Sequence, residues 1–175
     1  MTTRRILLLR HAKSAWDEPG LDDYDRPLAK RGRKAAPQMG AALAKMGLRP
    51  DLVLCSGAAR ARATLDLVLE KLGAPVPQVV YDDALYMAAP DALLARLNRV
   101  GPGAPRHVML VGHNPGLEEL ALLLAGSGAR DDTARMSGKF PTAAVAVIGF
   151  NAECWAGIEP GAGRLEHFLT PRLLT

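Results

Sequence analysis

The sequence predicts an α/β protein: a three-layer α/β/α sandwich with a mostly parallel central sheet and helices on both faces. Three observations carry that expectation. Short aliphatic runs alternate with stretches of helical periodicity along the 175 residues. The first run, Ile6-Leu7-Leu8-Leu9, is apolar at every position, as a strand buried on both faces must be. It then stops abruptly at Arg10-His11, and two later runs repeat the design. Asp51-Leu52-Val53-Leu54-Cys55-Ser56 leads to Arg60, and His107-Val108-Met109-Leu110-Val111-Gly112 leads to His113-Asn114-Pro115-Gly116.

The elements follow in order. After the first strand, 17–27 is a polar, Asp-rich loop with Pro19-Gly20 as a turn signal. Apolar positions then recur at helical spacing from Ala29 to Met46, with Gly47 as the stop; Pro37 inside this stretch predicts a kink or a late helix start. A strand at Leu52 to Cys55 precedes a helix from Ala58 to Leu72, ended by Gly73. A strand at Gln78 to Tyr81, an irregular piece through Met87 and a helix from Pro90 to Arg99 come next. A Gly/Pro loop over 101–105 leads to the strand Val108 to Val111 and a helix from Pro115 to Ala125. The stretch 126–138 is polar and reads as a surface loop. Two late strands, Thr142 to Phe150 and Arg164 to Leu169, flank the turn-rich 151–163. With no repeats and no linker, 1–175 reads as a single domain.

Composition narrows the class. Hydrophobic residues make up 49% and charged residues 23%, which suits a folded core rather than a disordered chain. No apolar run approaches a membrane span, and the first is too short for a signal-peptide core. Two cysteines without framework spacing fit a reducing compartment, so a cytoplasmic location is expected. The net charge of +4 raises the question of nucleic acid. The basic residues are spread out except for Lys30-Arg31-Gly32-Arg33-Lys34, and no aromatic is interleaved there as a stacking platform. A solvated helix start is the favoured reading, with no nucleic-acid or membrane partner. A mildly positive field equally draws in a phosphorylated substrate.

Parallel strands bring their carboxyl ends to one edge of the sheet, where open α/β folds place ligands. Arg10, His11, Arg60 and His113 should therefore meet in one pocket. Each alone is as plausibly a surface residue; four at three strand ends are hard to ascribe to coincidence. The set does not suit a metal, because guanidinium groups would repel it and His107 and His113 lie at opposite ends of one strand. No metal or cofactor is expected. It suits a phosphoryl group: Arg offers a fork matching phosphate oxygens, a neutral imidazole can attack phosphorus, and a second, protonated imidazole can offset the charge on its oxygens. The helix starting at Pro115 would add its backbone N–H groups. Cys55 reads as a small buried hydrophobe.

Arg10-His11, the Ser56-to-Thr64 segment containing Arg60, and Gly112-His113-Asn114 resemble the three signatures of the histidine phosphatase superfamily, which includes the phosphoglycerate mutases. The resemblance implies a phosphoglycerate mutase-like fold, with His11 as the phosphorylated nucleophile and Arg10, Arg60 and His113 holding the phosphoryl group. Arg60 rather than Arg62 matches the family's arginine. Arg-His-Ala-Lys-Ser, Asp25-Arg26-Pro27-Leu28 and the short length look most like the SixA-type phosphohistidine phosphatase branch. Ser14, Arg26 and Asn114 are by that resemblance further phosphate or substrate contacts.

The sequence departs from the wider family pattern in two places, of which the second bears on the substrate. Ala12 replaces the usual Gly after the nucleophile. Leu85-Tyr86-Met87 stands where mutase-like branches carry a catalytic Glu. An alkyl phosphate needs a positioned acid, worth roughly 10²–10⁴-fold in rate. Phosphohistidine with its other ring nitrogen protonated expels a neutral imidazole, whose conjugate acid has a pKa of about 6.5. The expected substrate is thus phosphohistidine in a protein, such as a histidine phosphotransfer domain. A small-ester phosphatase or mutase and an idle phosphate-binding module are the alternatives. Asp17, six residues past His11, is the candidate for any acid assistance.

Overall fold

The computed structural model describes residues 3–102 and 105–174. Seven strands form one sheet in the order β3-β2-β4-β1-β6-β7-β5: β1 (Thr3–Arg10), β2 (Leu52–Cys55), β3 (Gln78–Tyr81), β4 (His107–Gly112), β5 (Ala125–Gly128), β6 (Val145–Asn151) and β7 (Gly163–Leu169). β6 runs against both β1 and β7, and the other pairings are parallel. The helices are α1 (Lys30–Lys45), α2 (Ala59–Leu72), α3 (Pro90–Asn98), α4 (Gly116–Leu124) and α5 (Arg130–Gly138).

The apolar run of β1 serves both faces of the sheet. Leu7 and Leu9 pack with Met39 and Leu43 of α1 and Leu65 and Val68 of α2. Ile6 and Leu8 pack with Leu93 and Leu97 of α3, Leu117 and Leu120 of α4, and Trp155. All four are essentially inaccessible, and burying each side chain is worth about 1.5–3 kcal/mol. β1 is fixed at the centre because nothing but a doubly covered position removes four consecutive aliphatics from water.

α1 comes close enough to touch the chain beyond β1. A Cβ on Gly32 would lie 2.2 Å from the Lys13 carbonyl oxygen, and one on Gly40 would lie 2.4 Å from the Val68 carbonyl of α2. Only glycine permits both approaches. Pro37 neither delays nor ends α1, which begins at Lys30 and runs through it.

The structure corrects the reading of 126–138 as a loop. It holds β5 and α5. β5 is Ala-Gly-Ser-Gly, without strand propensity; it exists because small residues let it lie against its neighbours, a Cβ on Gly126 falling 2.0 Å from the Gly161 carbonyl. α5 buries only Met136, too little for a periodic signal, while Asp131 and Asp132 in its first turn and Arg135 in its last suit the helix dipole. The late strand starts at Val145 rather than Thr142, after Ala143 at φ +62°. Of the expected 101–105 loop, Gly103 and Ala104 lie outside the described residues. No helix among the described residues is long and apolar enough to cross a membrane.

Candidate active site

The carboxyl ends of β1, β2 and β4 are adjacent and level. The His11 amide donates to the Gly112 carbonyl at 3.1 Å and the Ser56 amide to the Val111 carbonyl at 3.0 Å. From the other side the Ala143 amide reaches the carbonyls of both Arg10 and His11 at 3.1 Å. His11 is thus fastened by backbone bonds from two neighbouring strand ends.

His11 is 7% exposed. Nδ1 lies 2.8 Å from the Ala12 carbonyl oxygen, which can only accept, so Nδ1 carries the proton and Nε2 keeps its lone pair. Arg60, 2% exposed, donates through Nε towards that Nε2 at 3.4 Å. The His113 ring sits 5.1 Å away, centroid to centroid. Its Nε2 is 2.8 Å from the Ser56 hydroxyl, which itself accepts from the Ala58 amide at 3.3 Å. With Oγ donating to Nε2, the ring proton of His113 sits on Nδ1, which is then a donor. That Nδ1 and Nε of Arg10 are buried without a hydrogen-bond partner, two donors an oxyanion would satisfy.

Burial, with the guanidinium charges of Arg60, Arg10 and Arg26 around it, lowers the His11 pKa to about 4. Burial and the neighbouring His11 and Arg60 lower that of His113 to about 3. Both imidazoles are neutral at pH 7. The second imidazole is therefore a neutral N–H donor before an anion arrives, rather than the protonated one expected from the sequence. Burial pushes the Cys55 thiol up to about 12, so it is inert as a nucleophile.

Asp23, from the acidic loop, is one of two residues that sequence reasoning misses. Its carboxylate accepts from Arg60 Nη2 at 2.9 Å, from Arg26 Nε at 3.0 Å and from the Tyr86 hydroxyl, and its carbonyl accepts from Arg60 Nη1 at 2.6 Å. The outer edge of the Arg60 fork is thereby held, with Nε turned to His11. The Tyr86 hydroxyl, then Arg26 and Arg60, keep the Asp23 carboxyl well below the usual carboxylate range, whereas the bond to Asp23 raises the Tyr86 phenol. Nothing in the sequence separates Asp23 from the four acidic residues around it. Thr64 was also unassigned. Its hydroxyl accepts from the Ala12 amide at 2.9 Å and donates to the Arg60 carbonyl at 2.7 Å, tying the His11 segment to α2.

Ser14 and Arg26 come together one layer out: Arg26 Nη1 donates to Ser14 Oγ at 2.7 Å, and its guanidinium stacks 3.5 Å from the Trp16 ring centre. Asn114 braces rather than faces the pocket. Its amide donates to the Phe140 carbonyl at 3.1 Å, which also accepts from Arg10 Nη1 at 3.0 Å, and its oxygen accepts from the Glu118 amide. The first-turn amides of Leu117 and Glu118 are thus taken, by the His113 carbonyl and Asn114, and α4 does not offer them to a ligand as expected. Asp17 is exposed and makes no hydrogen bond or ion pair among the described residues. No group of three or more His, Cys, Asp or Glu among the described residues could hold a metal ion.

Residues 6–86 match the profile of the histidine phosphatase superfamily (branch 1). The chain is 41% identical over 166 residues to the uncharacterized protein Rv1276c of Mycobacterium tuberculosis, covering 94% of this chain and all of that one. It is similar to the crystal structure of SixA from Agrobacterium tumefaciens, with a TM-score of 0.79 at 33% identity over 98% of this chain and 100% of that one. It is also similar to SixA from Nakamurella multipartitia, with a TM-score of 0.78 at 28% identity over 98% of each. The central sheet with helices on both faces is thus the phosphoglycerate mutase-like fold, and the chain belongs to the histidine phosphatase superfamily, in its SixA-type branch.

Proposed function

We propose that this phosphatase works through a covalent phosphohistidine on His11 and that its substrate is phosphohistidine carried by a protein. One observation carries the reading: His11 is neutral, with Nδ1 tied to the Ala12 carbonyl and Nε2 presented to Arg60. Nε2 attacks phosphorus in line as the bond to the substrate's ring nitrogen breaks, and water then attacks the phospho-His11 to release inorganic phosphate. Arg10, Arg60 through Nε and His113 through Nδ1 bind the three equatorial oxygens, where negative charge is spread in the transition state.

The leaving group decides the substrate. Asp23 is held ionised and has no proton to give, and the Tyr86 phenol is raised above its ordinary value. A site so poor in acid suits an imidazole leaving group and suits an alkoxide badly. The two SixA relatives carry the name phosphohistidine phosphatase as a provisional assignment, which agrees with the reading. Such an enzyme would drain phosphoryl groups from a histidine relay in signal transduction.

The test is rapid-quench trapping with a phosphorylated histidine phosphotransfer domain. An acid-labile, base-stable phosphate on His11 is expected in the wild type, and neither phosphoenzyme nor turnover in His11→Ala. Full turnover in His11→Ala would sink the proposal.

A further inference from the structure

The basic cluster at the start of α1 plays no part in the chemistry above. Arg31 from that cluster lines a cavity of about 710 Å³ with Lys13, Arg135, Lys139 and Arg172, and no acidic residue lines it. Its apolar lining residues are Ala35, Pro141, Phe168, Pro171 and Leu173. Arg135 is committed to the fold through Asp132 and the Phe168 carbonyl. Lys13, Arg31 and Lys139 are exposed and make no ion pair among the described residues. They arrive from three separate places: beyond β1, the first turn of α1 and the end of α5.

Two features leave this positive charge uncompensated. The first turn of α1 is basic without a compensating acid, the wrong sign for the positive end of a helix dipole. Three exposed cations from separate elements around one concave surface also repel each other. Their placement relates the cavity to the catalytic pocket. β7 is parallel to β1 and two strands away, so its carboxyl end, where Phe168 and Thr170 meet the cavity, lies roughly 10 Å from that of β1. Lys13 is two residues past His11, and Pro141 and Thr142 of the cavity follow Phe140, whose carbonyl holds Arg10 and Asn114.

We propose that this cavity docks an acidic segment of the protein whose phosphohistidine enters the catalytic pocket. The inference rests on the reading of the substrate as a phosphoprotein. A basic rim over an apolar floor takes an acidic segment bearing one or two apolar side chains, and rim charge of this kind speeds and orients encounter more than it alters chemistry.

The test compares the wild type with Lys13→Glu/Arg31→Glu/Lys139→Glu, whose changes are all exposed. With a phosphorylated histidine phosphotransfer domain, KM should rise about tenfold or more at low salt and kcat should stay within about twofold. Hydrolysis of free phosphohistidine should be unchanged. Poly-L-glutamate should compete with the phosphoprotein but not with free phosphohistidine. An unchanged KM for the phosphoprotein, or an equal loss on free phosphohistidine, would overturn the proposal. So would a loss confined to small bisphosphate esters, which would make the cavity a seat for a second phosphate. Should the wild type cleave neither phosphohistidine substrate, the substrate reading fails separately. Binding of labelled poly-L-glutamate then still tests the cavity: about tenfold weakening in the triple variant supports it, and no binding or equal binding refutes it.

Discussion

At the residue level, the proposed chemistry turns on which nitrogen atoms face the phosphoryl group. Arg60 and Arg62 lie two residues apart on α2, so their side chains point about 200° apart. Arg60 is buried against His11. Arg62 is exposed, stacks 3.9 Å from the Tyr81 ring centre and donates to the Gly57 carbonyl at 3.0 Å. Arg60→Ala should therefore lower kcat/KM by about 10³-fold, the scale of removing a donor to a developing oxyanion, and Arg62→Ala by no more than a few-fold. Steady-state kinetics on free phosphohistidine checks this; equal losses would show that the wrong arginine has been assigned. The four residues at the strand ends were legible because the strands announce their own ends, each aliphatic run breaking into a charged or imidazole side chain. Asp23 was not, because its role comes from where the loop folds back over α2 and not from its spacing to any neighbour.

At the scale of the element, the short turn Asp23–Asp25 acts as a clamp. It reaches across to α2 through Arg60 and to the segment after β3 through Tyr86, and Tyr24 donates to Asp83 at 2.5 Å beside it. On the proposed mechanism Asp23, ionised and bonded to Arg60, acts as a positioning residue and not as an acid. Asp23→Asn should lower kcat about tenfold for phosphohistidine and for an alkyl phosphate alike, because loosening Arg60 weakens phosphoryl binding in the transition state whatever the leaving group. A loss concentrated on the alkyl phosphate would instead make Asp23 the missing acid. Elements with a continuous apolar pattern, β1, β2, β4, α1 and α2, were readable from the sequence within a few residues. β5 and α5 were not, since an Ala-Gly-Ser-Gly strand and a helix with one buried Met136 owe their existence to neighbours rather than to propensity.

At the scale of the molecule, the site makes stability depend on pH. The folded pKa of His11, about 4, and of His113, about 3, lie below the ordinary 6.5 of an unfolded histidine. The neutral imidazoles thus favour folding above pH 6.5. As pH falls below it, the unfolded chain takes up protons that the folded protein refuses. Stability should fall by up to about 1.4 kcal/mol per pH unit for each histidine as pH drops from 6.5 towards 4. Asp23 has the same sign but acts lower, starting near the ordinary carboxylate value of 3.8. Urea unfolding at pH 7, 6 and 5 should show this slope in the wild type and a flatter one in His11→Gln/His113→Gln. Parallel slopes would mean that the two rings are not held neutral.

Leaving-group preference is read by a side-by-side measurement of kcat/KM on three substrates: a phosphorylated histidine phosphotransfer domain, p-nitrophenyl phosphate and 3-phosphoglycerate. A neutral nucleophile in a site without a strong acid predicts highest efficiency on the phosphoprotein. p-Nitrophenyl phosphate, with its good leaving group, should come next, and phosphoglycerate should be close to silent. Robust hydrolysis of phosphoglycerate with near silence on the phosphoprotein would contradict the account.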